Sequence, residues 1–169
     1  MLNFEAISLE CEAYSRAKGY LPTTMDNAAI RLKAIDKEIS ELTEEIRKGC
    51  GRGMSFESAD VAIYSVVIMR DLGCTVWDVR QRMHIVPEPF DRPAELTAPL
   101  RKYGDLAFEA WQKADRKHVI MSLELLLAQL VDLRVRCLRL PNSLQFDMAL
   151  KLAFMRSRER CHGGKDPRS

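Results

Sequence analysis

Two pairs of acidic residues stand three positions apart in the first half of the chain. Glu38 and Glu41 form one pair, and Glu57 and Asp60 form the other. Residues three apart lie on one face of a helix, so each pair presents two carboxylates side by side. If the two helices pack antiparallel, the four carboxylates converge, and a hard cation such as Mg²⁺ or Mn²⁺ relieves their repulsion. The spacing therefore predicts a four-carboxylate metal site.

An ordinary solvated helix face is the alternative for the first pair, because Glu44 and Glu45 extend the same acidic run. The second pair is harder to explain in this way. Glu57 stands near the start of a predicted helix, where an acid also complements the helix dipole. Asp60 lies one turn deeper, before the almost wholly apolar segment from Val61 to Met69, so this explanation is weaker for it.

Helices must position the acidic pairs, because helical periodicity dominates the chain. One predicted helix, residues 27–48, carries an apolar stripe at steps of three and four, formed by Leu32, Ile35, Ile39, Leu42 and Ile46. Gly49 is expected to end this helix. No stretch shows sustained two-residue alternation between turns, so we predict an all-α helical bundle.

Further helices follow from the same periodicity. The full set covers residues 3–18, 27–48, 55–72, 76–83, 94–113, 117–139 and 143–160. Ser55 and Ser143 are the expected N-caps of the third and the last helix. The three glycines within residues 49–53 predict a flexible connector, and the segment from Pro87 to Pro93 predicts a proline-broken link.

The bulk composition limits the fold and the function. The 169 residues are 47% hydrophobic and 30% charged, which is typical of a single globular domain. We predict this domain over residues 1–160, followed by a flexible basic tail over residues 161–169. The net charge of +2 gives no reason to expect a nucleic acid polymer as a partner.

Cysteine usage and hydropathy favour a cytoplasmic protein. The five cysteines never form a C-x-x-C pair, which disfavours a zinc site and a disulfide framework. The N-terminus lacks a signal-peptide pattern, and the richest apolar run, from Val119 to Leu133, is interrupted by Glu124 and Asp132. We therefore expect no membrane as a partner.

The acidic spacing resembles the signature of a known enzyme family. Glu38-x-x-Glu41, followed after a gap of residues 42–56 by Glu57-x-x-Asp60, is similar to the E-x-x-E and E-x-x-D pattern of the MazG-like, all-α nucleoside triphosphate pyrophosphohydrolases. The apolar pattern around these acids is similar to the family's helices as well. The resemblance therefore implies a helical bundle of the all-α pyrophosphatase type.

The C-terminal segment adds to the resemblance. Lys151 and Arg158, followed by His162-Gly-Gly, resemble the K-x-x-x-N-x-x-R and H-G ending of several members, many of them viral. Two positions depart from the family pattern: Met155 stands at the asparagine, and Lys37 stands where many members have the first of two adjacent glutamates. The resemblance implies Lys151 and Arg158 as triphosphate ligands, although a solvated basic helix face explains them equally well.

The resemblance implies a metal-dependent hydrolase. Its substrates are expected to be (deoxy)nucleoside triphosphates, with purine deoxynucleotides as first candidates and phosphoribosyl-ATP as an alternative. Its products are a nucleoside monophosphate and pyrophosphate. Glu38, Glu41, Glu57 and Asp60 are the expected ligands of Mg²⁺ or Mn²⁺, which acidifies a bound water, and Glu41 is the candidate general base. We expect a homo-oligomer, either a dimer or a tetramer.

Two tyrosines are candidate contacts for the nucleobase. Tyr14 and Tyr20 flank the turn between the first two predicted helices, and each ring is able to stack on a base. Packing within the core or on the surface is the simpler role for both rings.

The second half of the chain has two structural interpretations. A shift by 68 positions places Glu41 on Glu109, Gly73 on Pro141 and Val76 on Leu144, so the helix pattern of the metal-binding half, residues 1–85, recurs in the second helical half, residues 94–160. The second half is then a degenerate internal duplication without the metal ligands. The other interpretation is a helical insertion from Cys74 to Leu140.

Two other function classes are compatible with a helical bundle. A non-enzymatic interaction module uses the acids as a solvated face and the apolar helices for dimer contacts. An iron-binding carboxylate bundle is disfavoured, because such sites use two E-x-x-H pairs, whereas of the three histidines, His84, His118 and His162, only His162 has a glutamate three positions before it, Glu159.

Overall fold

In the part of the chain that the structure describes, the helical periodicity of the sequence is realised as six α-helices. The computed structural model describes residues 2–75, 77–79 and 92–161. The α-helices are α1 (Glu5–Ala17), α2 (Ala28–Lys48), α3 (Gly51–Asp71), α4 (Pro93–Gln112), α5 (Arg116–Asp132) and α6 (Leu144–Cys161). A π-helix (Leu133–Cys137) follows α5 directly. The predicted all-α class is thereby confirmed.

Two helical hairpins form the centre of the bundle. Gly49 and Cys50 join α2 to α3, and residues 113–115 join α4 to α5. Links this short reverse the chain, so neighbouring helices are antiparallel. Helix α2 packs against α3 and α4, α5 packs against α3 and α4, and both α1 and α6 lie against α3. Other helices thus surround α3, which explains its apolar interior.

The hydrophobic core lies where these helices meet. The predicted stripe of α2 faces the core: Leu32, Ile35, Ile39 and Leu42 are buried and Ile46 is partly buried. The other helices contribute Val61, Val66, Ile68 and Met69 from α3, Leu100 from α4, Leu123, Leu126, Leu127 and Leu130 from α5, and Met148 and Leu152 from α6. Burial of these apolar side chains is the main stabilising force, and it fixes α2 and α3 against each other.

The start of α3 differs from the prediction. The helix begins at Gly51 rather than near Ser55, so the predicted flexible connector shrinks to Gly49 and Cys50. Gly49 has a positive φ of 67°, a conformation that glycine adopts without strain, and it ends α2. Cys50 is the N-cap, because its sulfur accepts a hydrogen bond from the Gly53 nitrogen at 3.4 Å. The glycines therefore make a tight reversal and do not break the helix.

The predicted short helix over residues 76–83 is wrong where the structure describes it. Residues 77–79 are not helical, and the remainder of that prediction lies outside the described residues. Instead, β2 (Asp78–Val79) pairs antiparallel with β1 (Leu2–Asn3), with Leu2 opposite Val79 and Asn3 opposite Asp78. None of the helices in the described part of the chain has the length and apolar character that a membrane span needs.

The C-terminal end of α5 is also different, because the predicted helix over residues 117–139 changes to a π-helix after Asp132. Within the π-helix, the buried Arg134 donates hydrogen bonds to the Ser58 hydroxyl, the Asp147 carboxylate and the Asn142 carbonyl. This guanidinium ties α3, the π-helix and α6 together.

Helix α6 follows the prediction. Ser143 caps it, since the Ser143 hydroxyl accepts a hydrogen bond from the Phe146 nitrogen at 3.2 Å. The predicted tail, apart from the residue that ends α6, lies outside the described residues.

Candidate functional site

The α2–α3 hairpin brings the two acidic pairs to the same level. The helices run antiparallel, so a step towards the C-terminus of α2 is matched by a step towards the N-terminus of α3. Near the turn, the Glu45 carboxylate lies so close to Gly53 that a Cβ at this position would overlap it. One turn farther from the link, the same register places Glu41 beside Glu57. The sequence spacing and the tight link together produce this alignment.

Three of the four predicted metal ligands converge. Carboxylate oxygens of Glu38, Glu41 and Glu57 all lie within 4.8 Å of one another. Glu38 is the most buried of the three, with only 8% of its surface exposed, whereas Glu41 and Glu57 are partly exposed. We call these three residues the acidic cluster. The cluster opens to solvent on the Glu41 side.

Asp60, the fourth predicted ligand, lies at the edge of the acidic cluster and has a partner of its own. The Lys151 ammonium on α6 donates a hydrogen bond to the Asp60 carboxylate at 2.5 Å, and both side chains are largely buried. The same ammonium lies 5.0 Å from the centre of the Phe56 ring. Lys151, predicted as a triphosphate ligand, therefore stands beside the acids as a charge partner.

The electrostatics of the acids follow from crowding and burial. Burial, together with the nearby Asp60 carboxylate, raises the pKa of Glu38 from 4.5 to about 7. Burial and neighbouring acids also raise the pKa of Glu57 and of Asp60. Glu41 is the exception, because the Lys37 ammonium, 2.6 Å from its carboxylate, lowers its pKa. Additional positive charge would therefore stabilise the ionised forms of Glu38, Glu57 and Asp60.

One oxygen of the acidic cluster has no partner. The Glu57 Oε2 atom is buried, and no hydrogen-bond donor reaches it from the described residues. A buried carboxylate oxygen without a donor is costly, and buried polar groups nearly always have a partner. The converging set of hard oxygen atoms fits Mg²⁺ or Mn²⁺.

The remaining predicted substrate contacts have different neighbours. Tyr14 on α1 has the Lys18 ammonium and the Arg156 guanidinium each 6.0 Å from its ring centre. The guanidinium of Arg158 is 5.8 Å from the centre of the Phe154 ring. Tyr14 and Arg158 are therefore placed around α6, whereas Glu38, Glu41 and Glu57 belong to the α2–α3 hairpin.

Two residues at the margin of the site are not among the predicted site residues. Tyr64 lies one turn after Asp60 on α3, and burial together with the Glu38 and Asp60 charges raises the pKa of its phenol. Phe56 lies one turn before Asp60 and contacts Lys151. The four-residue spacing of Phe56, Asp60 and Tyr64 is the signal that would have identified both rings as neighbours of the acids.

The chain was compared with protein families, curated proteins and solved structures. Neither protein-family models, nor curated protein sequences, nor solved structures give a match to the chain.

Proposed function

We propose that the chain is a divalent-cation-dependent nucleoside triphosphate pyrophosphohydrolase. Glu38, Glu41, Glu57 and Asp60 are the proposed ligands of Mg²⁺ or Mn²⁺. Two observations carry the proposal: carboxylate oxygens of Glu38, Glu41 and Glu57 converge, and Glu57 has a buried oxygen, Oε2, with no hydrogen-bond partner among the described residues. The spacing of the four acids, which resembles that of the MazG-like family, supports the same function.

The local charge balance supports a divalent cation. Lys37 lies 2.6 Å from a Glu41 oxygen and 3.7 Å from a Glu38 oxygen, and Lys151 pairs with Asp60. Two positive charges thus accompany the four carboxylates. When all four carboxylates are ionised, the two lysines leave two negative charges uncompensated. A single divalent cation would neutralise them. A solvated acidic face does not require this balance, since water screens its charges.

The proposed reaction transfers a phosphoryl group to water. A water oxygen forms a bond to a phosphorus of the triphosphate, and the phosphoanhydride bond to the leaving group breaks. The products are a nucleoside monophosphate and pyrophosphate, and the proton of the attacking water passes to a base. A bound divalent cation supplies charge neutralisation at the phosphates and acidifies water.

Glu41 is the proposed base for this proton. Its side chain is 45% exposed, so solvent water reaches its carboxylate. Lys37 keeps the pKa of Glu41 low, so the carboxylate is ionised at neutral pH. Lys151, beside Asp60, is the proposed partner of a substrate phosphate, while Tyr14 and Arg158 stay predicted substrate contacts. A dimer or tetramer and a cytoplasmic location also stay predictions.

The test is a panel of nucleoside triphosphates assayed for pyrophosphate release with Mn²⁺. The panel includes purine and pyrimidine deoxynucleotides, ribonucleotides and phosphoribosyl-ATP, so its arms separate the predicted substrate classes. Wild-type turnover of at least one substrate is expected, together with loss of turnover in Glu57→Ala. Glu44→Ala is the matched control, because Glu44 is an exposed acid of α2 paired with Arg47.

Two results contradict the proposal. One is the absence of pyrophosphate release by the wild-type protein across the panel. The other is equal turnover by Glu57→Ala and Glu44→Ala, which would remove the acidic cluster from the reaction.

A further inference from the structure

A groove lies beside the acidic cluster, between the start of α3 and the exposed side of α6. Its cavity volume is about 690 Å³, within the range of small-molecule sites. Its lining is mostly apolar, with a few polar groups, and includes Arg52, Ser55, Phe56, Leu150, Phe154 and Ser157. Apolar walls with a few polar groups are typical of sites that bind one organic ligand.

The groove shares one face of α3 with Asp60. Arg52, Phe56 and Asp60 are four residues apart on α3 and share one face of that helix. On α6, Lys151 reaches Asp60, and Phe154, about one turn on, stacks on Phe56 with the ring centres 5.7 Å apart. We call the boundary between α3 and α6 the seam. It runs from the Asp60–Lys151 pair to the Phe56–Phe154 pair.

Positive charge surrounds the aromatic pair. The Arg52 guanidinium is 5.4 Å and the Lys151 ammonium 5.0 Å from the centre of the Phe56 ring. On the other ring, the Arg158 guanidinium is 5.8 Å from the centre of Phe154. Aromatic faces bordered by guanidinium and ammonium groups suit a ligand that is both planar and anionic. Nucleotides have this combination of properties.

We propose that the groove binds the base and sugar of the nucleotide, with the phosphates directed along the seam to Lys151 and the acidic cluster. This inference rests on the proposed function, and it names the part of the fold that holds the nucleoside. The base packs on the Phe56–Phe154 pair, and the hydroxyls of Ser55 and Ser157 provide hydrogen bonds at the groove wall.

A second copy of the chain is the competing occupant, because Leu150 and Phe154 leave apolar surface exposed on α6. The charges disfavour it. Arg52 and Arg158 both lie at this groove, so a symmetric contact through it would bring four guanidinium groups together. Like charges across an interface suppress association, whereas an anionic ligand is attracted.

The test measures binding of a nucleoside monophosphate, AMP or dAMP, without divalent cations, by calorimetry and by amide chemical shifts. We expect shifts around Phe56 and Phe154 in the wild-type protein. Loss of one stacking ring in Phe154→Ala is expected to weaken binding by roughly tenfold or more. Phe146→Ala is the matched control, since Phe146 is 56% exposed on the same helix and is not part of the groove lining. Its affinity is expected to equal that of the wild type.

Inorganic pyrophosphate serves as a probe without a base, and its affinity is expected to be equal in the wild type and in Phe154→Ala. The proposal is overturned if neither monophosphate binds at millimolar concentration, or if Phe154→Ala and Phe146→Ala bind it equally. It is also overturned if Phe154→Ala abolishes a dimer while leaving nucleotide affinity unchanged.

Leu150→Ala provides a second groove variant, and it is expected to weaken binding as Phe154→Ala does. These binding assays need no turnover. Failure of the groove proposal is therefore distinguishable from failure of the proposed hydrolase function.

Discussion

Helix α3 carries an acid near each end, and the surroundings of these two acids differ. Asp71, near the C-terminal end, is 1% exposed, and its carboxylate accepts hydrogen bonds from Arg16, Arg31 and the Thr23 nitrogen. Glu57, near the N-terminal end, faces other carboxylates and has one oxygen without a donor. The fold compensates the charge of Asp71 by itself. At Glu57 the described residues provide no such set of donors, and there we propose a bound cation.

The largest effect on stability is expected at Asp71, whose charge the surrounding residues compensate. Asp71→Ala removes the shared acceptor of Arg16, Arg31 and the Thr23 amide, so we expect the free energy of unfolding to fall by about 3 kcal/mol. Urea denaturation measures this change. Asp36→Ala is the control, because its pair with Arg101 is exposed and is worth less than about 1 kcal/mol. Equal losses in the two variants would contradict the structural role of Asp71.

The opposite behaviour is expected at Glu57. Without divalent cations, Glu57→Ala should unfold with a free energy no lower than that of the wild type, because the variant relieves repulsion among the acids. With Mn²⁺ at one hundred times its dissociation constant, the wild type should gain about 2.7 kcal/mol, and Glu57→Ala should lose most of this gain. Thermal and urea unfolding with and without Mn²⁺ measure both effects. A full Mn²⁺ response in the variant would exclude Glu57 as a ligand.

A smaller effect concerns the pH dependence of stability without divalent cations. The pKa of Glu38 is raised from 4.5 to about 7 in the folded protein, so the folded state holds a proton that the unfolded state has released. Between these pH values, the free energy of unfolding of the wild type should fall with rising pH relative to that of Glu38→Gln. Urea titrations of both proteins across this window measure the difference. Parallel pH profiles would mean that Glu38 does not titrate in this way.

The smallest effect is expected at Lys37. This ammonium pairs with Glu41 on the exposed side of the acidic cluster and competes with a cation for the same carboxylate. Lys37→Met should therefore increase Mn²⁺ affinity by roughly two- to fourfold, since exposed ion pairs are weak. Calorimetric titration measures the change. A weaker affinity in the variant would show that Lys37 assists cation binding.

The sequence predicts the α2–α3 hairpin well, because its signals are local. The stripe from Leu32 to Ile46 repeats at helical spacing, and Gly49 marks the end of α2. The convergence of Glu38, Glu41 and Glu57 follows once two such helices are packed antiparallel. The sequence predicts the start of α3 four residues too late, because Gly53 resembles a helix breaker. In the fold this glycine instead leaves room for the Glu45 carboxylate.

The features that the sequence does not predict depend on contacts between distant segments. Lys151 and Asp60 are 91 positions apart, so neither the pair nor the groove beside it has a local signal. The π-helix surrounds the buried Arg134, whose partners Ser58 and Asp147 belong to two other helices. The periodicity of apolar residues predicts single helices. It does not predict which residue of a distant helix pairs with a buried charge.

The most direct test of the central claim is a crystal structure of the protein with Mn²⁺, measured with anomalous scattering at the manganese absorption edge. The acidic cluster is predicted to hold one anomalous peak, coordinated by carboxylate oxygens of Glu38, Glu41 and Glu57 at about 2.0–2.3 Å. The same crystals should show that the orphaned Glu57 oxygen has gained a partner. A structure at saturating Mn²⁺ with no peak at these carboxylates would contradict the account.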